Sequence, residues 1–523
     1  MTLFRSRPND YKSSDYEIKR NLTKSRNRQR KRAKNLRAKV GELEAEIQRL
    51  RRELQQAKEQ VLLIRQLSNI ETGPSDGQGT AAIEQPLAQT PIVGHSFPAA
   101  MVALCINLAK QIGFRPAARA LRTVARALKL DIKIPKHDTI RNWAKRVGVA
   151  ELKDTFCKDQ AVLWMADHSS QIGAEKVLLI IGIALEDLPE PGQTLSFDKV
   201  KVLAIVPGKH WKKEDVGRVY QTLAEQIGAP RYLLSDGAVE LREPAETLEK
   251  DGQPTIVLGD FKHFAANVLE KEIGRSERFR EFITQVGLSR NRTQQTELSH
   301  FAPPPLKQKS RFMNLSSLLR WANMVIYHLS HPESEARVGV SEDRMNEKLG
   351  WLREYGEDFA SWSVCQEVID ASLSFINHEG LSAGTSERLR AHLAEVLPGL
   401  PGRDATAGRV QELLMGFVEH SEQKLHQGER SWLSTEILES LFGRFKQLEG
   451  QQSKGGFTGL LACLPTFCCP IDPERIRRRL LEVSTPQLME WVRATIGPTL
   501  NARRTVAYKE SVASANGYFF RPN

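Results

Sequence analysis

VLWMAD (162–167), KVLLIIGIAL (176–185) and KVLAIVPG (201–208) are apolar, β-branched runs of strand length, and the fold turns on the segments next in the chain. KKEDVGRVYQTLAEQIG (212–228) reads as a helix, RYLLSD (231–236) and TIVLGD (255–260) as two further strands, with the helix-like PAETLEK (244–250) between them. The order is therefore three strands, a helix, a strand, a helix and a strand. Asp167 ends the first strand and Asp236 ends the fourth. Placed on neighbouring strands, the two carboxylates would meet at one edge of the sheet and repel each other unless cations were present. Hard oxygen donors of this kind suit Mg²⁺ or Mn²⁺.

A third acid is needed from further along the chain, and WLSTEILESLFGRFKQLEG (432–450) offers it. Ile437, Leu438, Leu441, Phe442 and Phe445 form an apolar face, with Glu436, Glu439, Ser440 and Lys446 beside it. Glu439 and Lys446 share a helix face, which joins a metal ligand to a phosphate-binding cation.

The strand and helix order resembles that of an RNase H-like fold, in which the first and fourth strands lie side by side. The wider array resembles that of DDE transposases, especially Mutator-like, hAT-like and related bacterial insertion-sequence enzymes. Their motifs are similar to ADHSSQIG at Asp167, LLSDGAVEL at Asp236 and STEILESLFGRFK at Glu439. A Cys or Asp followed two residues later by His is a further mark of these families, and Asp260 with His263 fits it. The resemblance covers roughly residues 138–465, including a helical insertion before the last acidic helix. It implies a catalytic triad of Asp167, Asp236 and Glu439 holding two Mg²⁺ (or Mn²⁺) ions for phosphodiester hydrolysis and transesterification. Glu436 competes with Glu439 for the third place, and Asp260 with Asp236 for the second; Glu439 better matches the spacing to Lys446, and Asp260 already fills the Asp-x-x-His position. His263 reads as a structural or DNA-orienting group. Arg444, Lys446 and Lys454 are candidates for holding the DNA strand by its phosphates.

Outward from this core the charge is uneven. The formal net charge is +12, and between Met1 and Lys39 fourteen Lys and Arg stand against three acids. Such an arm suits a polyanion. A heptad pattern comes after it, with Val40, Ile47, Leu54 and Val61 at a and Leu36, Leu43, Leu50, Ala57 and Ile64 at d, which favours a parallel dimer. The facing pairs Lys39–Glu44, Glu46–Arg51 and Glu53–Lys58 are all opposite in sign. A basic segment running into a zipper resembles the bZIP arrangement in architecture only. Next, PAARALRTVARALKL (116–130), with Arg115 just before it, carries Arg119, Arg122, Arg126 and Lys129 opposite Ala118, Leu121, Ala125 and Leu128. KIPKHDTIRNWAKRVG (133–148) reads as a last helix capped by Asp138 or Thr139 and ended by Gly148. Ile140 and Trp143 would anchor it, leaving Lys136, His137, Arg141, Asn142, Lys145 and Arg146 outward, the layout of a helix-turn-helix in a major groove.

The expected fold class is multidomain α+β: a basic arm (1–35), a coiled coil (36–68), a linker (69–94) and a helix-turn-helix-like DNA-binding domain (95–150), then the RNase H-like α/β/α core. That core spans 158–264 and 429–470, is interrupted by a helical insertion (265–428), and is succeeded by a basic C-terminal tail (471–523). The expected partners are double-stranded DNA and a second copy through residues 36–64. No apolar run reaches the roughly 18 residues a membrane span needs, the start lacks a secretory signal, and the six cysteines form no CxxC pair. A cytoplasmic, DNA-associated protein is expected. A structure-selective nuclease on the same fold and a non-catalytic dimeric DNA-binding regulator are the alternatives.

Overall fold

The computed structural model describes residues 91–168, 176–208, 210–250, 252–305, 315–334, 339–397, 405–450, 459–498 and 504–512. The arm, the coiled coil and most of the linker lie outside the described residues. Three helices open the described part: α1 (Ala99–Ile112), α2 (Phe114–Ala127) and α3 (His137–Glu151). The sheet comes next, with β1 (Val162–His168), β2 (Lys176–Ala184), β3 (Lys201–Gly208), helix α4 (Lys213–Ile227), β4 (Tyr232–Ser235), the short α5 (Val239–Ala245) and β5 (Ile256–Gly259). The strand order is β3-β2-β1-β4-β5. β1 pairs antiparallel with β2 and parallel with β4, β2 pairs antiparallel with β3, and β4 pairs parallel with β5.

These strands are apolar throughout because both faces are covered. Along β1, Trp164 and Ala166 point to the face packed by Val216, Tyr220 and Leu223 of α4 and Leu241 of α5. Leu163 and Met165 point to the other face, into a core shared with the first three helices and the helices after the sheet. After the sheet come the helices α6 (Phe261–Leu269), α7 (Glu277–Thr293), α8 (Leu315–Ser330), α9 (Glu342–Leu349), α10 (Gly356–Glu379), α11 (Thr385–Val396) and α12 (Ala405–Gln423). The chain then returns to the sheet through α13 (Glu436–Gly450) and closes with α14 (Pro473–Glu482) and α15 (Thr485–Thr495). The result is a mixed α+β architecture around one five-stranded mixed sheet.

Three local expectations change. The helix between β4 and β5 is Val239–Ala245 rather than PAETLEK, whose last residues enter a hairpin pairing Glu249–Lys250 with Gln253–Pro254. Gly252 takes φ +74° there, so the Asp251-Gly252 pair is a hairpin signal of the Asp-Gly type. Helix α3 starts after Lys136 and runs past Gly148 to Glu151. Gly148 is there for space: a Cβ at that position would lie 1.8 Å from the carbonyl oxygen of Ala462. Backbone on both sides leaves nothing flexible to yield, so Gly148→Ala is expected to cost about 3 kcal/mol or more. A lowered urea midpoint checks this, and an unchanged one would refute it.

The C-terminal helices account for charges that the sequence pattern turns outward. Arg146 is buried, donating from Nε to the Val483 carbonyl (2.6 Å) and from Nη2 to the Leu480 carbonyl (2.7 Å). Arg475 and Arg479 of the basic tail pair with Glu151 at the end of α3 (2.6 and 2.8 Å), and Arg479 also meets Asp154.

Candidate active site

Register decides where the first two acids sit. Ala166 of β1 lies opposite Ser235 of β4 in a parallel ladder, so Asp167 and Asp236 come next at the same end of adjacent strands. β5 adds a third Asp at that edge, since Ser235 pairs with Gly259 and its carbonyl accepts from the Asp260 backbone N–H (2.8 Å). The three carboxyls have different surroundings. Asp236 accepts from the Ala238 backbone N–H (2.9 Å), a turn made possible by Gly237 at φ +86°. Asp167 accepts from the His168 N–H next to it (2.6 Å). Burial, then the Asp236 charge, with a smaller contribution from Glu439, pushes the Asp167 carboxyl up to about 7.

Asp260 is the most enclosed of the three, with 2% of its surface exposed. One oxygen accepts from the His263 backbone N–H (2.7 Å) and faces the His263 Nδ1 (3.0 Å). The other accepts from both the backbone N–H (2.6 Å) and the hydroxyl (2.7 Å) of Thr435. Burial alone would raise this carboxyl; the hydrogen bonds and charge of His263, with the hydroxyl of Thr435, hold it below the ordinary aspartate value. Asp260 thus caps α6 and at the same time grips the residue that precedes α13. The Phe261 N–H donates to the Leu433 carbonyl beside it (2.8 Å). This clamp fixes where the acidic helix begins, and Glu439 lies in its first turn.

The sequence leaves Glu436 and Glu439 as rivals, and their partners differ. Glu436 is held by the Asn377 side-chain amide (3.0 Å) and by Lys262 Nζ (3.0 Å). Among the described residues Glu439 is held by Lys262 (3.0 Å), and its charge is among those that act on Asp167. Burial alone would lower the Lys262 ammonium; Glu439 and Glu436 keep it above the usual lysine value. Among the described residues no group of three or more His, Cys, Asp or Glu side chains stands close enough to hold a metal ion as it is. Lys262 occupies one of the candidate donors: its ammonium lies 3.0 Å from a carboxylate oxygen of Glu439. Replacing it should free that oxygen and add one net negative charge. Lys262→Met is therefore expected to bind Mn²⁺ roughly tenfold more tightly, as ligand charge count governs affinity for hard cations. Titration of the free Mn²⁺ spectroscopic signal reads this, and unchanged or weaker binding would contradict it.

His263 lies among the acids as a counter-charge. Burial alone would lower it; the hydrogen bond and charge of Asp260, with the charges of Asp236 and Asp167, hold it above the ordinary histidine value. His168 goes the other way, lowered chiefly by burial, and its ring stacks on Trp211 at 5.7 Å. Lys262, Asn377 and Thr435 carried no signal in the sequence; their partners lie 59 to 177 residues away in the chain.

Of the cations expected to meet DNA, Arg444 is exposed with its guanidinium 4.1 Å from the centre of the Phe197 ring, and Lys446 is exposed near Glu449. Lys454 lies outside the described residues. On α3, Arg141 pairs with Asp138 (2.6 Å), Asn142 donates to Thr485 (3.2 Å), and burial lowers the half-buried Lys145 ammonium. With Arg146 turned inward, α3 behaves as a core helix on most of its circumference.

No family model matches the sequence, and no curated protein matches it. Among solved structures the chain is similar to one described as the Drosophila P element transposase strand transfer complex, with a TM-score of 0.36 and 12% identity, over 82% of this chain and 100% of that one. A likeness of that size assigns neither a family nor residue roles. Among the described residues no helix is long and apolar enough to cross a membrane.

Proposed function

We propose that this chain is a DDE-type transposase with an RNase H-like core, cutting DNA and joining it elsewhere through Asp167, Asp236 and Glu439. One observation carries the reading: Asp167 and Asp236 end adjacent parallel strands at the same register, and burial, then the Asp236 charge and, less strongly, the Glu439 charge, pushes the Asp167 carboxyl up to about 7. A protein gains no stability from such a cluster, and perturbed carboxyls of this kind concentrate where charge is put to use.

The donor set also fits the group it implies. All-oxygen ligands with excess negative charge suit Mg²⁺ or Mn²⁺, and Asp167, Asp236 and Glu439 would hold them. Bound divalent ions would supply activation of the attacking oxygen and stabilisation of the departing one. The chain's own residues do the rest. Asp260 and Thr435 fix the start of α13 and hence the reach of Glu439. His263 offsets part of the acid charge, and Lys262 offsets that of Glu439. Arg444, Lys446 and Lys454 would hold the strand by its phosphates, positioning it without reading sequence. Attack by water would cut a strand; attack by a freed 3′-hydroxyl would join it to a second duplex. Two ends must be handled together, which suits a homodimer through residues 36–64.

The test incubates the full chain with supercoiled plasmid and labelled linear duplex in Mg²⁺ or Mn²⁺, beside Asp167→Asn, Asp236→Asn and Glu439→Gln. Nicking and joining by the parent chain, lost in all three variants, is the expected result. Cutting without joining would replace the transposase with a nuclease, and equal nicking by Asp167→Asn would overturn the site.

A further inference from the structure

Helix α3 was the expected DNA-reading element, yet its cations are largely consumed inside the molecule. Helix α2 is the opposite case. Its sequence, FRPAARALRTVARA, contains no acid, and Phe114, Ala117, Ala118, Leu121 and Ala125 bury one face. Arg115, Arg119, Arg122 and Arg126 are all exposed. They succeed one another at steps of four, three and four residues, so they form a single ridge along the helix. At about 1.5 Å per residue the ridge is roughly 16 Å long.

The ridge lacks counter-charges along its whole length. Several exposed cations elsewhere on the molecule sit against carboxylates, among them Arg218 on Asp215, Lys213 on Glu243, Arg344 on Glu347 and Arg390 on Glu419. Among the described residues, none of the four α2 arginines lies within ion-pair distance of an acid, and Lys129 just beyond them is exposed too. Like charges stacked along one helix face destabilise it. Here nothing inside the described protein offsets that cost, so a polyanion from outside is the natural complement. Four guanidiniums in a row offer strong donors to successive phosphates.

We propose that the outward face of α2, through Arg115, Arg119, Arg122 and Arg126, is a sequence-independent docking surface for the phosphate backbone of duplex DNA. This rests on the reading of the chain as a DNA-processing enzyme and moves the contact from α3 to α2.

The measurement is duplex DNA binding by the full chain, read by fluorescence anisotropy over a salt series. The probes are two unrelated duplex sequences of equal length. Each arginine that meets a phosphate contributes about 0.9 to the slope of log K against log salt, so replacing all four by Ala should lower the slope by up to about 3.6. The loss should be equal on both sequences. A second variant carries the same change of net charge elsewhere: Lys213, Arg218, Arg344 and Arg390, all to Ala. It should leave the slope within about 1 of the parent value. Circular dichroism and melting temperature confirm that both variants fold, as every replaced side chain is exposed or half-exposed at the surface.

A slope unchanged by the α2 substitutions, or lowered equally by the control set, overturns the proposal; so does a loss confined to one sequence. Failure of the enzymatic reading is seen separately. An inactive parent chain that still loses slope in the α2 variant keeps the surface and discards the catalysis, whereas a parent chain that binds no duplex discards both.

Discussion

Asp167→Asn should give a metal-free protein that is more stable than the parent chain at pH 8, by an amount that falls steeply toward pH 5. The carboxyl is raised to about 7 by burial, then by Asp236 and, less strongly, Glu439, from an ordinary value of 3.8. An acid whose folded value is raised binds its proton more tightly when folded. Its ionisation therefore costs the folded state nothing below about 3.8, an increasing amount between there and about 7, and the full amount above. The difference corresponds to about 4 kcal/mol at pH 8 and to less than half of that at pH 5. Asn keeps the acceptor that the His168 N–H needs and removes the charge, so the penalty disappears with little change of shape. Added Mg²⁺ should stabilise the parent chain by mass action and leave the variant unmoved. Strand cleavage should fall by roughly 10³-fold or more, the size of losing a group that acts on developing charge. Melting curves at pH 5 and pH 8, with and without Mg²⁺, decide the matter. A variant less stable than its parent at pH 8, or one stabilised by Mg²⁺ to the same extent, would remove Asp167 from the site.

Why the sheet could be read from the sequence and the clamp could not is a question of range. Strands covered on both faces need apolar residues at every position, so β1, β2 and β3 stand out as continuous runs and their ends differ from the expected ones by a residue at most. Asp167 and Asp236 are conspicuous because they interrupt such runs at equivalent registers. Helix α13 announces itself by period, although its first four expected residues, 432–435, are extended and belong to the clamp. Amphipathic reasoning failed on α3 for a related reason. It assumes one buried face, and α3 is packed by α1 and α2 on one side and by residues 459–468 and α14 on others, so Arg146 lies buried where a polar face was expected. Gly148 illustrates the same blind spot: a glycine near a helix end signals termination locally, and only the path of Ala462 reveals that it serves close approach.

Asp260 carries the last and most structural of these expectations. Its carboxylate is the meeting point of two segments 175 residues apart, and it receives three hydrogen bonds from backbone and hydroxyl donors besides facing His263 Nδ1. Asp260→Ala would leave the Thr435 N–H and hydroxyl and the His263 N–H buried without an acceptor. Each such orphan costs about 1–3 kcal/mol, and removing one partner of a buried charged cluster commonly costs about 3–5 kcal/mol in all. Asp260→Asn is no rescue, since its amide would aim a donor at one of the donors it replaced an acceptor for. The native carboxyl is depressed, so its contribution is present above about pH 3.8 and is lost as pH falls through the lower folded value; the gap between parent and variant should narrow in acid. The site should suffer beyond the fold. With the Thr435 tether gone, the first turn of α13 is no longer held to β5, and Glu439 loses its fixed reach toward Asp167. Both Asp260 variants should therefore lose the Mg²⁺-induced rise in melting temperature even at temperatures where circular dichroism reports a folded chain. Thr435→Val, which deletes the hydroxyl and keeps the N–H, should reproduce part of this, and its effect should largely vanish in the Asp260→Ala background because the shared bond is already absent. Additive losses in that double-mutant cycle, or a full Mg²⁺ response in Asp260→Ala, would mean that the acidic helix is placed by the apolar packing of Ile437, Leu438 and Leu441 alone.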